Sequence, residues 1–387
     1  MTPPKNSSSN SSPPSTPPAK RALNPIYNTA LGRVMRLPQL VKDGRKTPQY
    51  FRDLYSKIST PSQISFEGCA ERFKLGAANQ FQTLEDVYRY RGYRKLGKID
   101  EGAFGVVSKA SRIGDGLLVA TKEIDLNKKK AKRIEEMKRE LFVLQKIQDK
   151  TVVQLIESFV VDDTLVIVME FCAGGNLSTL LKEMPLTEEE ALNLFAQMAT
   201  GIRILHKFGI AHRDIKLNNF LLDASRKTIK CADFGLSIVS WRPPAGLVMA
   251  KTYCGTEPYM APEVLRRNKL GQRSYNPLTA DVWSLGVCLF AMMTRTFPFK
   301  LDMTQRSLYR AQRARRWRLP RIVRENYSWE LNDLVWHMLD PEADRRITMA
   351  GILTHPWLNQ QGPYQYSTDD PPKPAGLTFA HGPATRL

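Results

Sequence analysis

Residues 212–219 read His-Arg-Asp-Ile-Lys-Leu-Asn-Asn, and residues 233–235 read Asp-Phe-Gly. Asp214 can accept the proton of an attacking hydroxyl, and Lys216 can neutralise charge on a transferring phosphoryl group. Asn219 and Asp233 carry the hard oxygen ligands that Mg²⁺ prefers. One base, one cation and two metal ligands in this order predict a site for phosphoryl transfer.

Two stretches upstream contain residues that could contact nucleotide phosphates. Residues 100–107 read Asp-Glu-Gly-Ala-Phe-Gly-Val-Val, which predicts a hairpin whose glycines let the backbone approach phosphate oxygens. An ordinary glycine-containing turn has the same pattern. Residues 119–122 form an apolar strand that ends in Lys122, a cation that can hold phosphates if it is itself anchored. A surface lysine is the alternative interpretation.

A partner for that lysine is expected on the helix that follows. Apolar residues recur at helical spacing between positions 134 and 147, and Glu140 lies next to this stripe. We therefore predict a pair between Lys122 and Glu140. Glu135 and Glu136 are competing candidates, and each of the three is otherwise a solvated helix charge.

Residues 166–172 form a short apolar strand that runs into Ala-Gly-Gly-Asn-Leu at 173–177. This change from strand to glycine-rich turn predicts a connector between two lobes. Its backbone groups are then free to bond a flat heterocycle, of which adenine is the obvious candidate.

Taken together, these motifs resemble a eukaryotic protein kinase over roughly residues 90–358. The resemblance implies an α+β bilobal fold, with a small β-rich lobe that has one helix and a large, mostly helical lobe. It implies ATP and Mg²⁺ as cofactors, Asp214 as catalytic base, Lys122 and Glu140 as an ion pair, and Asn219 and Asp233 as metal ligands. The positions that match those enclosing ATP in the family are Ile99, Gly102, Ala103, Phe104, Gly105, Val107, Ala120, Lys122, Glu170, Cys172, Asn176 and Leu221.

Later motifs extend the resemblance to the substrate side. Residues 255–263 are similar to the end of a kinase activation segment, and residues 281–286 to the central helix of the large lobe. Arg346 is then the expected buried partner of Glu263. Small-molecule phosphotransferases lack such a segment, so a protein substrate is implied. Lys216 and Thr256 match the serine/threonine type. The C-terminal motifs are similar to the calcium/calmodulin-dependent kinase group, with the testis-specific serine kinases as the nearest branch.

Three departures or additions bear on regulation and specificity. Asp100 replaces the first glycine of the family loop, which predicts weaker ATP binding without loss of activity. Asn176 and Asn218 stand where relatives that recognise an upstream arginine have carboxylates, so we expect that preference to be lost. Thr252 lies at the family's usual phosphorylation point, and Arg213 is the guanidinium that would receive the phosphate.

Composition sets the expected boundaries and partners. Residues 1–89 are predicted to be a mostly disordered basic and Ser/Pro-rich extension, in which residues 21–89 include at most short docking helices. Residues 359–387 are predicted to be a disordered Pro/Gly-rich tail with too few bases to bind calmodulin. The net charge of +19 favours acidic or already phosphorylated protein partners over nucleic acid.

Five cysteines without ligand spacing predict a reducing compartment, and we expect a cytoplasmic or nuclear location. The longest apolar run, residues 282–293, is too short to span a bilayer, so no membrane span is expected. Two alternative functions are also compatible with the sequence. One is a kinase-shaped scaffold without catalysis, and the other is nucleic-acid binding through the arginines between positions 306 and 324.

Overall fold

The computed structural model of this chain describes residues 71–76, 79–102, 105–127, 131–242, 246–266 and 274–359. Most of the predicted extension, the tail after Asn359, and the loop residues Ala103 and Phe104 lie outside these ranges. The predictions made for them are therefore not addressed by the structure.

The small lobe is built on a six-stranded sheet with the strand order β1-β5-β6-β4-β3-β2. All pairs are antiparallel except β1 with β5, which run parallel. Helix α2, which follows β4, is the helix expected in this lobe, and the short helix α1 before β2 is an additional one that was not expected. The elements are β1 (Glu71–Phe73), α1 (Leu84–Tyr90), β2 (Tyr93–Gly102), β3 (Gly105–Arg112), β4 (Leu118–Asp125), α2 (Ala131–Lys146), β5 (Leu155–Val161) and β6 (Thr164–Glu170).

The sheet has two buried faces, because side chains alternate along each strand. On the inner face, Ile124 of β4 and Ile167 of β6 belong to the same core as Met137 of α2. On the outer face, Val119 of β4 and Val168 of β6 belong to a second, separate core. The lobe is thus a sheet covered on both sides.

The outer cover comes from the segment before the expected domain start. Helix α1 begins with a capping box, in which Asp86 N–H donates to Thr83 Oγ1 at 3.2 Å and Thr83 N–H donates to Asp86 Oδ2 at 2.8 Å. Val87 and Tyr88 of this helix have no exposed surface, and Phe73 of β1 is 8% exposed. The described residues from 71 to 89 therefore form a strand and most of a helix that pack on the sheet, on the N-terminal side of the boundary expected at residue 90.

The large lobe is mostly helical, as expected. Its first half contains β7 (Gly175–Asn176), α3 (Leu177–Glu183), α4 (Glu188–Lys207), β8 (Ile210–Ala211), a 3₁₀ turn (Leu217–Asn219), β9 (Phe220–Leu222), β10 (Ile229–Cys231), β11 (Ile238–Val239), β12 (Trp241–Arg242) and β13 (Gly246–Leu247). Its second half contains a 3₁₀ turn (Glu257–Tyr259), α5 (Pro262–Leu265), α6 (Pro277–Thr294), α7 (Gln305–Arg313), α8 (Arg321–Asn326), α9 (Trp329–Met338), α10 (Met349–Thr354) and α11 (Pro356–Asn359).

Helix α6 is the apolar centre of this lobe. By length and composition it is the one helix among the described residues that meets the criteria for a membrane span. However, 78% of it is buried inside the protein, as is typical of a core helix. It therefore gives no reason to revise the expectation of a chain without a membrane span.

Candidate active site

Lys122 and Glu140 meet on the inner face of the small lobe. The Lys122 ammonium lies 2.7 Å from both Glu140 carboxylate oxygens, and the two side chains are 7% and 5% exposed. Of the three candidate glutamates, Glu140 is thus the one that the structure pairs with the lysine. Burial acts to lower the pKa of Lys122, but the nearby carboxylates of Glu140 and Asp233 outweigh it and raise that pKa. The lysine stays charged at neutral pH.

Asp214 lies in the loop of residues 212–219, here called the catalytic loop, and three side chains bond to it. Lys216 Nζ lies 2.7 Å from Oδ2, and the Thr256 hydroxyl donates to Oδ1 at 2.7 Å. Asn219 Nδ2 donates to the Asp214 backbone carbonyl at 2.8 Å. These bonds fix the orientation of a carboxylate on a residue that is only 8% exposed.

Asp281 fixes the backbone at the start of this loop through hydrogen bonds, a role that was not predicted from the sequence. Its carboxylate accepts from the backbone N–H groups of His212 and Arg213, each at 2.8 Å, and lies 2.8 Å from His206 Nε2. Arg213 has a φ of 65°, a left-handed conformation that L-residues adopt rarely. Asp281 is the sole charged residue of α6. A buried carboxylate in an apolar helix requires hydrogen-bond donors. The single acidic residue in this apolar stretch could therefore have indicated a structural role for Asp281 from the sequence alone.

Asn219 and Asp233 lie side by side because of a short hairpin. Strands β9 and β10 are antiparallel with Phe220 opposite Cys231, and Ala232 N–H donates to the Asn219 carbonyl at 2.9 Å. Asn219 uses its amide nitrogen toward Asp214, which leaves its amide oxygen for a cation. Packing of the Phe234 ring against His212, at 5.4 Å between centroids, anchors the loop after Asp233.

This donor set fits Mg²⁺. The described residues contain no cluster of three His, Cys, Asp or Glu side chains that would suit zinc. Mg²⁺ instead takes one or two protein oxygens and keeps waters and substrate phosphate oxygens for its remaining positions. An amide oxygen and one carboxylate meet that requirement.

Two of the positions expected to enclose ATP, Val107 and Ala120, lie on the same face of the sheet as Lys122. Val107 lies opposite Lys122 in the β3–β4 register, and Ala120 precedes Lys122 by two residues on the same strand. Ile99 on β2 is 50% exposed, and Gly102 ends that strand. Gly105 has a φ of 130°, and a Cβ there would lie 2.2 Å from the Glu123 carbonyl oxygen. The glycine is thus required by the β4 backbone, in addition to the predicted phosphate approach.

The expected connector positions lie where β6 leaves the sheet. Glu170 pairs with Lys230 at 2.9 Å and accepts from Gln154 N–H at 2.7 Å. Cys172 is half-buried, and burial raises the pKa of its thiol to about 12. Asn176 lies opposite Leu221 in the β7–β9 pair.

Thr252 and Arg213, the expected regulatory pair, are in direct contact. Arg213 Nη1 donates to Thr252 Oγ1 at 2.6 Å, and Arg213 Nε donates to the Leu236 carbonyl at 2.7 Å. Arg139, from α2, donates to the Gly235 carbonyl at 3.3 Å. Burial, followed by the charge of Arg213, lowers the pKa of Arg139. Two guanidinium groups from different lobes therefore bind adjacent carbonyls of the same segment, and one of them, Arg213, also contacts the exposed Thr252.

The pairing expected between Arg346 and Glu263 is present. Arg346 Nη1 and Nη2 lie 2.7 Å and 2.9 Å from the two Glu263 oxygens. Arg346 Nη1 also donates to the Thr279 carbonyl at 2.6 Å, and the guanidinium lies over the Trp283 ring. These bonds tie α5, at the end of the activation segment, to the core helix α6.

Comparison with known proteins agrees with this geometry. A model of the protein kinase domain matches residues 93–358. CBL-interacting protein kinase 28 of Oryza sativa subsp. japonica is 35% identical over 274 residues, which cover 70% of this chain and 59% of the relative. CBL-interacting serine/threonine-protein kinase 13 of Arabidopsis thaliana is 32% identical over 336 residues, or 85% of this chain and 62% of the relative.

A shorter relative is covered more fully. Testis-specific serine/threonine-protein kinase 2 of Mus musculus is 32% identical over 298 residues, or 76% of this chain and 78% of the relative. By contrast, the chain spans about three fifths of the length of the two CBL-interacting relatives. The resemblance to a eukaryotic serine/threonine protein kinase is confirmed, and the chain belongs to the protein kinase domain family.

Proposed function

We propose that this chain is a serine/threonine protein kinase that transfers the γ-phosphoryl group of ATP to hydroxyls of protein substrates. The observation that carries the proposal is the convergence on Asp214, where Lys216, Thr256 and Asn219 each make a bond of 2.7 or 2.8 Å to this one residue. A base held this firmly is suited to orient a hydroxyl and accept its proton.

The remaining site residues would complete the reaction. Bound ATP and Mg²⁺ would supply the phosphoryl group and neutralise the charge that develops on it. Lys122, positioned by Glu140, would hold nucleotide phosphates, while Asn219 and Asp233 would hold the metal. Lys216 would stabilise the transferring group from the side of the acceptor hydroxyl.

We also propose that strict recognition of an upstream arginine is lost. Asn176 Oδ1 accepts from Thr179 N–H at 2.9 Å and so caps helix α3, and Asn218 is an exposed amide. Neither side chain supplies the carboxylate that makes arginine recognition selective. The net charge of +19 favours acidic or phosphorylated substrates instead.

The contact of Thr252 with Arg213 supports a further proposal on regulation. Phosphate on Thr252 would add charge beside Arg213, and would order the activation segment. We expect phosphorylated Thr252 to raise the rate of transfer. Equal turnover of wild type and Thr252→Ala after treatment with an activating kinase would indicate an unmodified loop threonine.

One experiment tests catalysis and preference together. The wild-type chain and Asp214→Asn are incubated with labelled ATP, Mg²⁺ and a degenerate serine/threonine peptide library. We expect transfer by the wild type only, with acidic residues enriched around the acceptor. A profile dominated by arginine three residues before the acceptor contradicts the proposed specificity. Equal labelling by the two proteins contradicts the proposed role of Asp214.

A further inference from the structure

An unusual run of arginines begins at helix α7. Between Asp302 and Glu325 the chain contains eight arginines and no acidic residue. Arg306, Arg310 and Arg313 are spaced by four and three residues on α7 and are exposed, whereas Leu308, Ala311 and Gln312 are buried. The helix therefore presents one basic face to solvent and packs with the other.

Only part of this charge is neutralised by neighbours. Arg313 pairs with Glu342 at 2.5 Å, Arg315 with Asp340 at 2.5 Å and Arg321 with Glu325 at 2.6 Å. Within the described part of the chain, no acidic side chain forms an ion pair with Arg306, Arg310 or Arg316. We call these three residues the arginine surface.

The turn after α7 is built to hold this surface in place. Arg315 has a φ of 47°, a position at which glycine is the usual residue. Arg316 N–H donates to the Ala311 carbonyl at 2.9 Å, which closes the helix end. The Arg315 guanidinium lies 4.4 Å from the centre of the Trp336 ring. Since this side chain is anchored to the lobe, the backbone that carries Arg316 is fixed.

The opposite side of α7 contacts the activation segment. The fully buried Gln312 donates from Nε2 to the Met260 carbonyl at 2.9 Å. Met260 lies four residues after Thr256, whose hydroxyl bonds Asp214. The arginine surface is therefore rigidly connected to the segment that borders the candidate base.

From this placement we propose that the arginine surface docks a carboxylate-rich segment of the protein substrate, outside the residues that flank the phosphorylated hydroxyl. This proposal rests on the proposed kinase function. Guanidinium groups pair bidentately with carboxylates, and three unpaired guanidinium groups on a fixed frame match an acidic segment in charge. Nucleic acid is disfavoured because the described residues of 303–326 include no exposed aromatic ring on which a base would stack.

The test uses two serine peptides with the same residues around the acceptor. One continues through a flexible linker into six glutamates, and the other into six neutral residues. For the full-length wild type we expect the acidic extension to lower KM about tenfold and to leave kcat unchanged. The triple variant Arg306→Gln, Arg310→Gln, Arg316→Gln should lose this advantage and still phosphorylate the neutral peptide as the wild type does.

A matched control separates the surface from overall charge. Arg72→Gln, Lys74→Gln and Arg89→Gln remove three exposed positive charges from the segment that covers the small lobe. This control should keep the full preference for the acidic extension. Equal KM values for the two peptides in the wild type, or a preference that survives in the arginine-surface variant, would overturn the proposal.

Further measurements distinguish other ligands of the arginine surface and show whether the kinase assignment itself fails. The proposal would also be overturned if only a phosphoserine extension, and not the glutamate extension, lowered KM. It would be overturned as well if single-stranded DNA bound to the arginine surface while the glutamate extension had no effect. If the wild type phosphorylates neither peptide, the kinase function fails. Fluorescence anisotropy of the labelled glutamate peptide then still decides docking, because binding must be weakened in the arginine-surface variant and kept in the control.

Discussion

The two faces of the small-lobe sheet are both buried, but they are stabilised in different ways. The inner face carries the Lys122–Glu140 ion pair against α2. On the outer face, the neighbouring Glu123 accepts from the Tyr88 hydroxyl at 2.7 Å and pairs with Lys95 at 2.6 Å, beside an apolar core that includes Val119 and Phe159. Two adjacent ionisable residues of one strand therefore face different parts of the protein.

The inner face is expected to serve the reaction, whereas the outer face is expected to serve stability. A buried ion pair is weak evidence for stability, because desolvation offsets much of the attraction between the charges. The inner pair is therefore best explained by its use in the reaction. The outer face gains stability from apolar burial, and its cover by β1 and α1 lies on the side of the sheet opposite the Lys122–Glu140 pair. Variants on the inner face should affect activity most, and variants on the outer face should affect unfolding most.

Among variants of the two sheet faces, the largest effect on activity is expected for Lys122→Met. We expect kcat/KM to fall by about 100-fold or more, because the candidate phosphate-holding cation is lost. Stability should fall as well, by about 3 kcal/mol, since Glu140 is left buried without its partner. In the double variant Lys122→Met, Glu140→Leu stability should recover and activity should not. Recovery of activity in the double variant would contradict the assignment.

The largest effect on stability is expected when the outer cover is removed. Deletion of residues 71–91 exposes the apolar core that includes Val119, Phe159 and Val168. We expect the Tm to fall by roughly 10 °C or more, measured by calorimetry against the full chain. A truncated chain that begins at residue 93, where the match to the family begins, should show the same decrease in Tm. An unchanged Tm would show that the cover contributes nothing.

A single substitution in the cover should give a smaller loss. Phe73 contacts Phe81, Tyr90 and Phe159 with ring centroids 5.6, 5.9 and 6.0 Å apart. We expect Phe73→Ala to lower the free energy of unfolding by about 2–4 kcal/mol and to leave kcat unchanged. Tyr90 is 58% exposed, so Tyr90→Ala is the matched control and should cost clearly less. Urea denaturation measures both variants.

The smallest effect is expected for Tyr88→Phe. This change removes the hydrogen bond to Glu123 and keeps the buried ring, so a loss of about 1 kcal/mol is expected. Burial, with the charge of Glu123, raises the pKa of Tyr88, so the phenol stays neutral throughout the physiological range. The loss measured by urea denaturation should therefore be the same at pH 6 and pH 9. A loss that changes sharply with pH would contradict this account.

The inner face could be predicted from the sequence, and the outer face could not. Lys122, Asp214 and Asp233 belong to motifs whose chemistry requires these residue types, so the sequence identified them directly, whereas the structure was needed to select Glu140 over Glu135 and Glu136. The cover consists of a three-residue strand and a seven-residue helix, which are too short to show a hydrophobic period. Its aromatic residues Phe73 and Tyr88 are buried because they pack against Phe159 of the sheet. A contact so distant along the chain leaves no local pattern.

The central claim is that the inner-face groups and the catalytic loop act on one Mg²⁺-bound nucleotide. It is tested most directly by the rate of γ-phosphoryl transfer to a serine peptide in Asp233→Asn, with Tyr88→Phe as the outer-face control at a temperature where both are folded. We predict that Asp233→Asn loses transfer by about 100-fold or more across a Mg²⁺ titration, whereas Tyr88→Phe matches the wild type. Wild-type transfer in Asp233→Asn, with the same dependence on Mg²⁺, would contradict the claim.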